Sequence, residues 1–286
     1  MKRKIWFFIT CVTIATGFMG CKNNSELTMV VGTYTGGSSE GIYTFRFNPE
    51  VLIATSLSKA VIDNPSYLAI SPDAKFVYAV SESGEDNSAV SSFAFEKQPG
   101  TLTFLNRERV GADPCYILLD TKRNYVATAN YSGGSVSFVP IAPDGRLSGE
   151  ANSLEFYGKG ADSIRQTKPH IHCLAITPDK QAFFVTDLGT DRISRIDIRA
   201  NEKVELPAFS CNKIFDTQLE PRSGPRHLNF NRCGSHAYLI NEISGKVMVF
   251  PIDSENNLEI IQTILADTSY AECSADIHLS PDEKFV

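Results

Sequence analysis

Much that would mark a nucleic-acid binder, a zinc module or a membrane-spanning protein is missing from this chain. Its 27 Lys and Arg are outnumbered by 33 Asp and Glu, giving a net charge of −6. It therefore has no excess of positive charge to meet a phosphate backbone. None of its seven cysteines forms a CxxC pair, so the usual zinc spacing is absent. The five in the body, Cys115, Cys173, Cys211, Cys233 and Cys273, are odd in number and read as packing residues rather than a disulfide framework. No apolar run in the body approaches membrane-span length. The glycine pairs Gly36-Gly37 and Gly133-Gly134 lack the strand–loop–helix setting of a phosphate cradle and read as turns. What remains is a 286-residue chain, 42% hydrophobic and 21% charged, able to bury a sizeable core.

The first residues stand apart. Met1-Lys2-Arg3-Lys4 is basic, Ile5 to Phe18 is apolar, and Gly20-Cys21 precedes the polar Lys22-Asn23-Asn24-Ser25. This pattern is an export signal, to be left out of fold reasoning. The cysteine after a small residue resembles a bacterial lipoprotein signal, in which Cys21 is acylated. The expected organisation is a signal over 1–21, a polar linker over 22–28, and one domain over 29–286. The expected location is the cell envelope, periplasmic or lipid-anchored, with the membrane touched only through that anchor.

The body repeats itself. Asn64-Pro65-Ser66-Tyr67, Asp113-Pro114-Cys115-Tyr116, Lys168-Pro169-His170 and Gly224-Pro225-Arg226-His227 each open a copy, and their prolines are 49, 55 and 56 residues apart. Each copy passes through a turn such as Ser71-Pro72-Asp73 or Thr177-Pro178-Asp179 into a run rich in β-formers such as Phe76-Val77-Tyr78-Ala79-Val80. A fifth opening, Ala275-Asp276-Ile277-His278, runs to Val286. Short strands at a period near fifty predict an all-β propeller with four-stranded blades. The chain supplies one incomplete blade, four full ones and the opening of another. A ring of seven would need roughly a hundred further residues, so the chain reads as C-terminally truncated.

Hairpin geometry places the polar residues. The start of a blade's first strand lies beside the end of its second, and the first strand lies nearest the central channel. Ser66, Cys115, His172, Arg226 and Ala275 should therefore ring one mouth, with the second-strand ends Ser81-Glu82, Asn130-Tyr131, Asp187-Leu188 and Asn241-Glu242 beside them. Apolar positions stay apolar from copy to copy, whereas these mouth positions change. Three of the five histidines, His170, His172 and His227, fall in two of the segments. Such a mouth is where a ligand should sit.

Pro169-His170-Ile171-His172, Asp187-Leu188-Gly189-Thr190-Asp191-Arg192, Gly224-Pro225-Arg226-His227 and Asn241-Glu242 resemble, in order, the marker segments of the seven-bladed propeller lactonase family. That family includes the bacterial propeller type of 6-phosphogluconolactonase, and the carboxymuconate lactonizing enzymes are related to it. The resemblance implies hydrolysis of a sugar lactone, with no cofactor and no metal, although His-x-His is a spacing that metals can use. His170, His172 or Glu242 would be the base, and Arg226 would hold an anionic group or the developing oxyanion. His227, Asp187, Asn130, Asn241 and Glu82 would bind substrate hydroxyls. The blander readings stay open: Arg226–Glu242 as a structural ion pair, Asp187 and Asn241 as turn ties, His227 as a packed histidine. So do a carboxymuconate-type cycloisomerase and a non-catalytic ligand-binding propeller.

Overall fold

The computed structural model describes residues 26–198, 214–253, 258–266 and 273–286. The expected signal, most of the linker, Cys21 and Cys211 lie outside the described residues. One three-stranded and four four-stranded antiparallel sheets follow one another along the chain. The first holds β1 (Leu27–Val31), β2 (Gly41–Asn48) and β3 (Ile53–Val61). The second holds β4 (Leu68–Ile70), β5 (Phe76–Ser81), β6 (Ala89–Glu96) and β7 (Thr101–Arg109). The third holds β8 (Pro114–Asp120), β9 (Tyr125–Asn130), β10 (Ser135–Pro140) and β11 (Asn152–Glu155). The fourth holds β12 (Ile171–Ile176), β13 (Ala182–Asp187), β14 (Arg192–Asp197) and β15 (Ile214–Gln218). The fifth holds β16 (Pro225–Phe230), β17 (His236–Asn241), β18 (Lys246–Pro251) and β19 (Gln262–Leu265). They are called blades I to V. The architecture is the expected one of propeller blades. The fourth strand of blade V is short, and before it Leu258 makes only an isolated bridge to Ile252.

The repeated turn has a physical cause. Ser71 Oγ accepts the backbone N–H groups of Lys75 (3.1 Å) and Phe76 (2.9 Å) and donates to Asp73 at 2.7 Å. Thr177 Oγ1 does the same for Gln181 and Ala182, both at 3.1 Å. The hydroxyl thus replaces ladder partners where the chain reverses.

The core lies between blades. Alternate residues of a strand face opposite sides, and each middle blade has a neighbour on both. In β13, Phe183 and Val185 pack with Tyr125, Phe138 and Val136 of blade III, while Ala182 and Phe184 pack with Leu239, Met248 and Phe250 of blade V. Two further clusters join blades II–III and I–II in the same way. A fully buried Phe or Leu of this kind contributes about 1.5–3 kcal/mol. Cys173 is buried and packs as expected, but Cys233 and Cys273 are exposed. Cys233 sits in the Asn231–Ser235 turn, where its Sγ lies 3.2 Å from Ser235 Oγ, so it is a turn residue rather than a packing one. Packing the blades side by side brings the first strands β4, β8, β12 and β16 together around a common axis.

Candidate active site

A β-bulge at the start of three inner strands, β8, β12 and β16, builds the mouth. The pairing of β8 with β9 skips from Pro114 to Tyr116, that of β12 with β13 from Ile171 to Cys173, and that of β16 with β17 from Pro225 to His227. The extra residue at each skip is Cys115, His172 or Arg226. A bulge bends the strand and re-aims its side chain, which is why the consecutive Arg226 and His227 both reach one cavity. The approach to an inner strand takes left-handed backbone at Asn64, Asp113 and Gly224, whose φ values are +42°, +51° and +63°. Asn, Asp and Gly tolerate that region best. At Gly224 a Cβ would also lie 2.6 Å from the Ile243 side chain. The carbonyls of the same three residues accept the N–H groups of Glu82 (3.1 Å), Tyr131 (2.9 Å) and Glu242 (2.7 Å), fastening these second-strand ends beside the starts of the inner strands.

The result is a cavity of about 370 Å³. Ser66, Cys115, His172, Arg226 and Ala275 all line it, as the column argument expects, joined by Glu82, Tyr131 and Glu242. In three of the four second-strand pairs the last residue, Glu82, Tyr131 or Glu242, lines the cavity and the one before it turns inward; in the fourth both Asp187 and Leu188 are buried. Asn130 is fully buried; its amide donates to Ser135 (3.0 Å) and Ser137 (2.9 Å) and accepts from Thr128. Asp187 is buried and accepts the N–H groups of His170 (2.8 Å) and Gly189 (2.9 Å) and the Thr190 hydroxyl (2.6 Å); burial raises its pKa. Asn241 is buried and donates to the Lys246 carbonyl at 3.0 Å. None of these three lines the cavity. Nor does His170, whose ring stacks on Tyr131 at 4.3 Å with Nδ1 3.0 Å from the Tyr131 carbonyl.

Charge gathers on Glu242. Arg226 Nε donates to its Oε2 at 2.9 Å, Arg165 Nη2 donates to its Oε1, and His172 Nε2 lies 3.6 Å from Oε2. His172 is almost wholly buried, with Nδ1 3.6 Å from Cys115 Sγ. Burial, reinforced by the Arg226 charge and by His227, pushes its pKa well below the ordinary histidine value, so the ring is neutral at pH 7. Burial likewise holds the Cys115 thiol protonated. Beneath this layer, His227 sits edge-on to Tyr67 (5.9 Å), Tyr116 (5.4 Å) and His172 (5.4 Å). Its Nδ1 meets Asp276 Oδ1 at 2.5 Å. Glu82, just after β5 in blade II, accepts the Tyr34 hydroxyl at 2.7 Å.

Three wall residues, Asp276, Tyr34 and Tyr67, have no role assigned from the sequence, and neither has Arg165, which reaches the site through Glu242. Arg165 rides on the connection 156–170, which Gln166 anchors through bonds to the Leu188 carbonyl (2.9 Å) and Asp191 (2.6 Å). Only the extra length before the third copy hints at it. Asp276 occupies the same place in its copy as His227 in the one before. Among the described residues no group of three or more His, Cys, Asp or Glu could hold a metal ion.

The sequence model of a family described as "Lactonase, 7-bladed beta-propeller" matches residues 28–286. A 6-phosphogluconolactonase of Bacillus subtilis is 30% identical over 90% of this chain and 72% of its own length. A crystal structure from Bacteroides fragilis, of a candidate 6-phosphogluconolactonase, superposes with a TM-score of 0.84 at 49% identity, covering 92% of this chain and 74% of that one. The Pseudomonas aeruginosa periplasmic gluconolactonase superposes with a TM-score of 0.76 at 29% identity, covering 91% and 74%.

Proposed function

This chain belongs to the seven-bladed β-propeller lactonase family, and from that premise we propose that it hydrolyses a sugar lactone of the 6-phosphogluconolactone type in the mouth cavity. The observation that carries the reading is the convergence of His172 and Arg226, from two neighbouring blades, on the Glu242 carboxylate in the cavity wall. Lactone opening adds water to the carbonyl carbon, passes through an oxyanion, and breaks the bond to the ring oxygen, which leaves as a hydroxyl. A water seated against His172 and Glu242 loses its proton to the neutral imidazole as it attacks, and Glu242 stabilises the imidazolium so formed. Arg226 is held by Glu242 through Nε, which leaves Nη2 as its donor toward the developing oxyanion. The protonated His172 then returns its proton to the departing ring oxygen. Glu82 and Tyr34, which also line the cavity, suit the sugar hydroxyls.

The test is release of acid from gluconolactone and from its 6-phosphate by the purified protein. His172→Gln and Glu242→Gln should each lower kcat by about 100-fold or more, the usual contribution of an acid–base group. Wild-type rates in both variants, or no opening of either lactone, would overturn the reading. The location proposed is the bacterial envelope, through a signal ending at Cys21; metabolic labelling with palmitate, lost in Cys21→Ala, is the expected outcome.

A further inference from the structure

The mouth contains an unbroken polar chain that the lactonase reading uses only in part. Asp276 Oδ1 meets His227 Nδ1 at 2.5 Å, His227 Nε2 faces Arg226 Nη1 at 3.3 Å, and Arg226 Nε reaches Glu242 Oε2 at 2.9 Å. Arg226 Nη1 also donates to the carbonyl of Ala275, the neighbour of Asp276. The segment 275–276 therefore grips the guanidinium twice, once directly and once through His227.

We propose that Asp276 is a positioning residue: it fixes the proton of His227 on Nδ1, and the Nε2 lone pair so exposed aims the Arg226 guanidinium into the cavity. An ionised carboxylate can only accept, so Nδ1 must donate to it. Nε2 is then an acceptor and takes the Arg226 N–H. With the proton on Nε2 instead, two donors would face each other at 3.3 Å and the guanidinium would turn away. The surroundings support one tautomer: His227 is caged by Tyr67, Tyr116 and His172, and burial keeps its ring neutral although the Asp276 contact pulls the other way. Asp276 is itself oriented, with Oδ1 accepting the Ile277 N–H at 2.9 Å and Oδ2 facing the exposed His278 ring at 2.8 Å. Two of the three guanidinium nitrogens are thus assigned, and Nη2 is the one presented to the cavity.

The inference rests on the proposed lactonase activity only for what the aimed Nη2 does. Asp276→Asn keeps the size of the side chain but can turn an N–H toward Nδ1. In an aspartate–histidine pair such a change forces the wrong tautomer; the Asp276 side chain is 41% exposed, so the loss expected here is smaller than the roughly 10⁴ of a buried pair. Two readouts separate the questions. Nitrogen-15 NMR of the His227 ring should show Nδ1 protonated and Nε2 bare in the wild type, with the proton moved to Nε2 in Asp276→Asn. Kinetics should show kcat lowered at least about 10-fold with KM within about threefold, the pattern of a lost transition-state contact, at an unchanged melting temperature. A wild-type His227 protonated on Nε2, or an Asp276→Asn protein with normal kcat, overturns the proposal. The expected NMR result in a protein that opens no lactone would uphold the tautomer assignment and overturn the lactonase reading instead.

Discussion

The mouth has two arcs built on one backbone plan. In blades II and III the innermost positions are Ser66 and Cys115; in blades IV and V they are His172 and Arg226. Cys115, His172 and Arg226 each stand at a bulge, and Glu82, Tyr131 and Glu242 are all fastened by the same backbone bond. Yet the basic side chains that gather on Glu242 come from blades IV and V and from the connection leading into blade IV. The Ser66–Cys115 arc is neutral apart from Glu82, whose carboxylate is engaged by a tyrosine hydroxyl. A repeated scaffold thus sets where side chains point, and substitution on one arc sets what they do. Fold and site are separable here because blade packing uses the strand faces while the mouth uses the strand starts.

Arg226→Lys offers the sharpest way to break that comparison. It keeps the charge but loses the fork that meets Glu242 and the cavity together, and lactone turnover should fall about 100-fold, read as kcat with circular dichroism unchanged. If turnover stays normal, the charged arc is a structural ion pair. Asp187→Ala, on the same arc but behind the wall, should act on stability instead. It leaves the His170 and Gly189 N–H groups and the Thr190 hydroxyl without their acceptor, at a cost of about 1–3 kcal/mol, measured by urea denaturation. A large rise in KM at full stability would instead make Asp187 a substrate ligand.

Acid should reveal the buried histidines more gently. The pKa values of both His172 and His227 are lowered on folding, chiefly by burial. The folded protein therefore binds fewer protons than the unfolded chain below the ordinary histidine value of about 6.5. Their neutral burial is fully stabilising above that pH, and stability is lost as pH falls below it toward their folded values. The melting temperature should thus be level from pH 8 to 7 and drop below pH 6, with a smaller drop in His172→Gln. The smallest effect is expected on the quiet arc: Cys115→Ser should stay within about threefold of wild-type turnover, because its thiol is protonated and inert. A loss of tenfold or more would make it part of the His172 machinery.

Much of this was legible in the sequence. The Ser-Pro-Asp and Thr-Pro-Asp turns, the β-rich runs and the fifty-residue spacing specify hairpins locally, because turn hydroxyls and strand alternation need only near neighbours. The column from Ser66 to Ala275 was legible for the same reason, since a hairpin fixes which strand end meets which. The paired residues at the second-strand ends were less so. Asn130, Asp187 and Asn241 look like polar mouth residues in sequence, yet strand alternation buries them as ties and turns Tyr131 and Glu242 to the cavity.

What the chain determined by itself is the blade, its turns and the ring of positions at one mouth. Only the tertiary structure decided which of those positions act together. Arg165 meets Glu242 across 77 positions and His227 meets Asp276 across 49. No local pattern encodes such a meeting: it follows from the angle at which one blade packs on the next, and that angle is set by the apolar side chains between them.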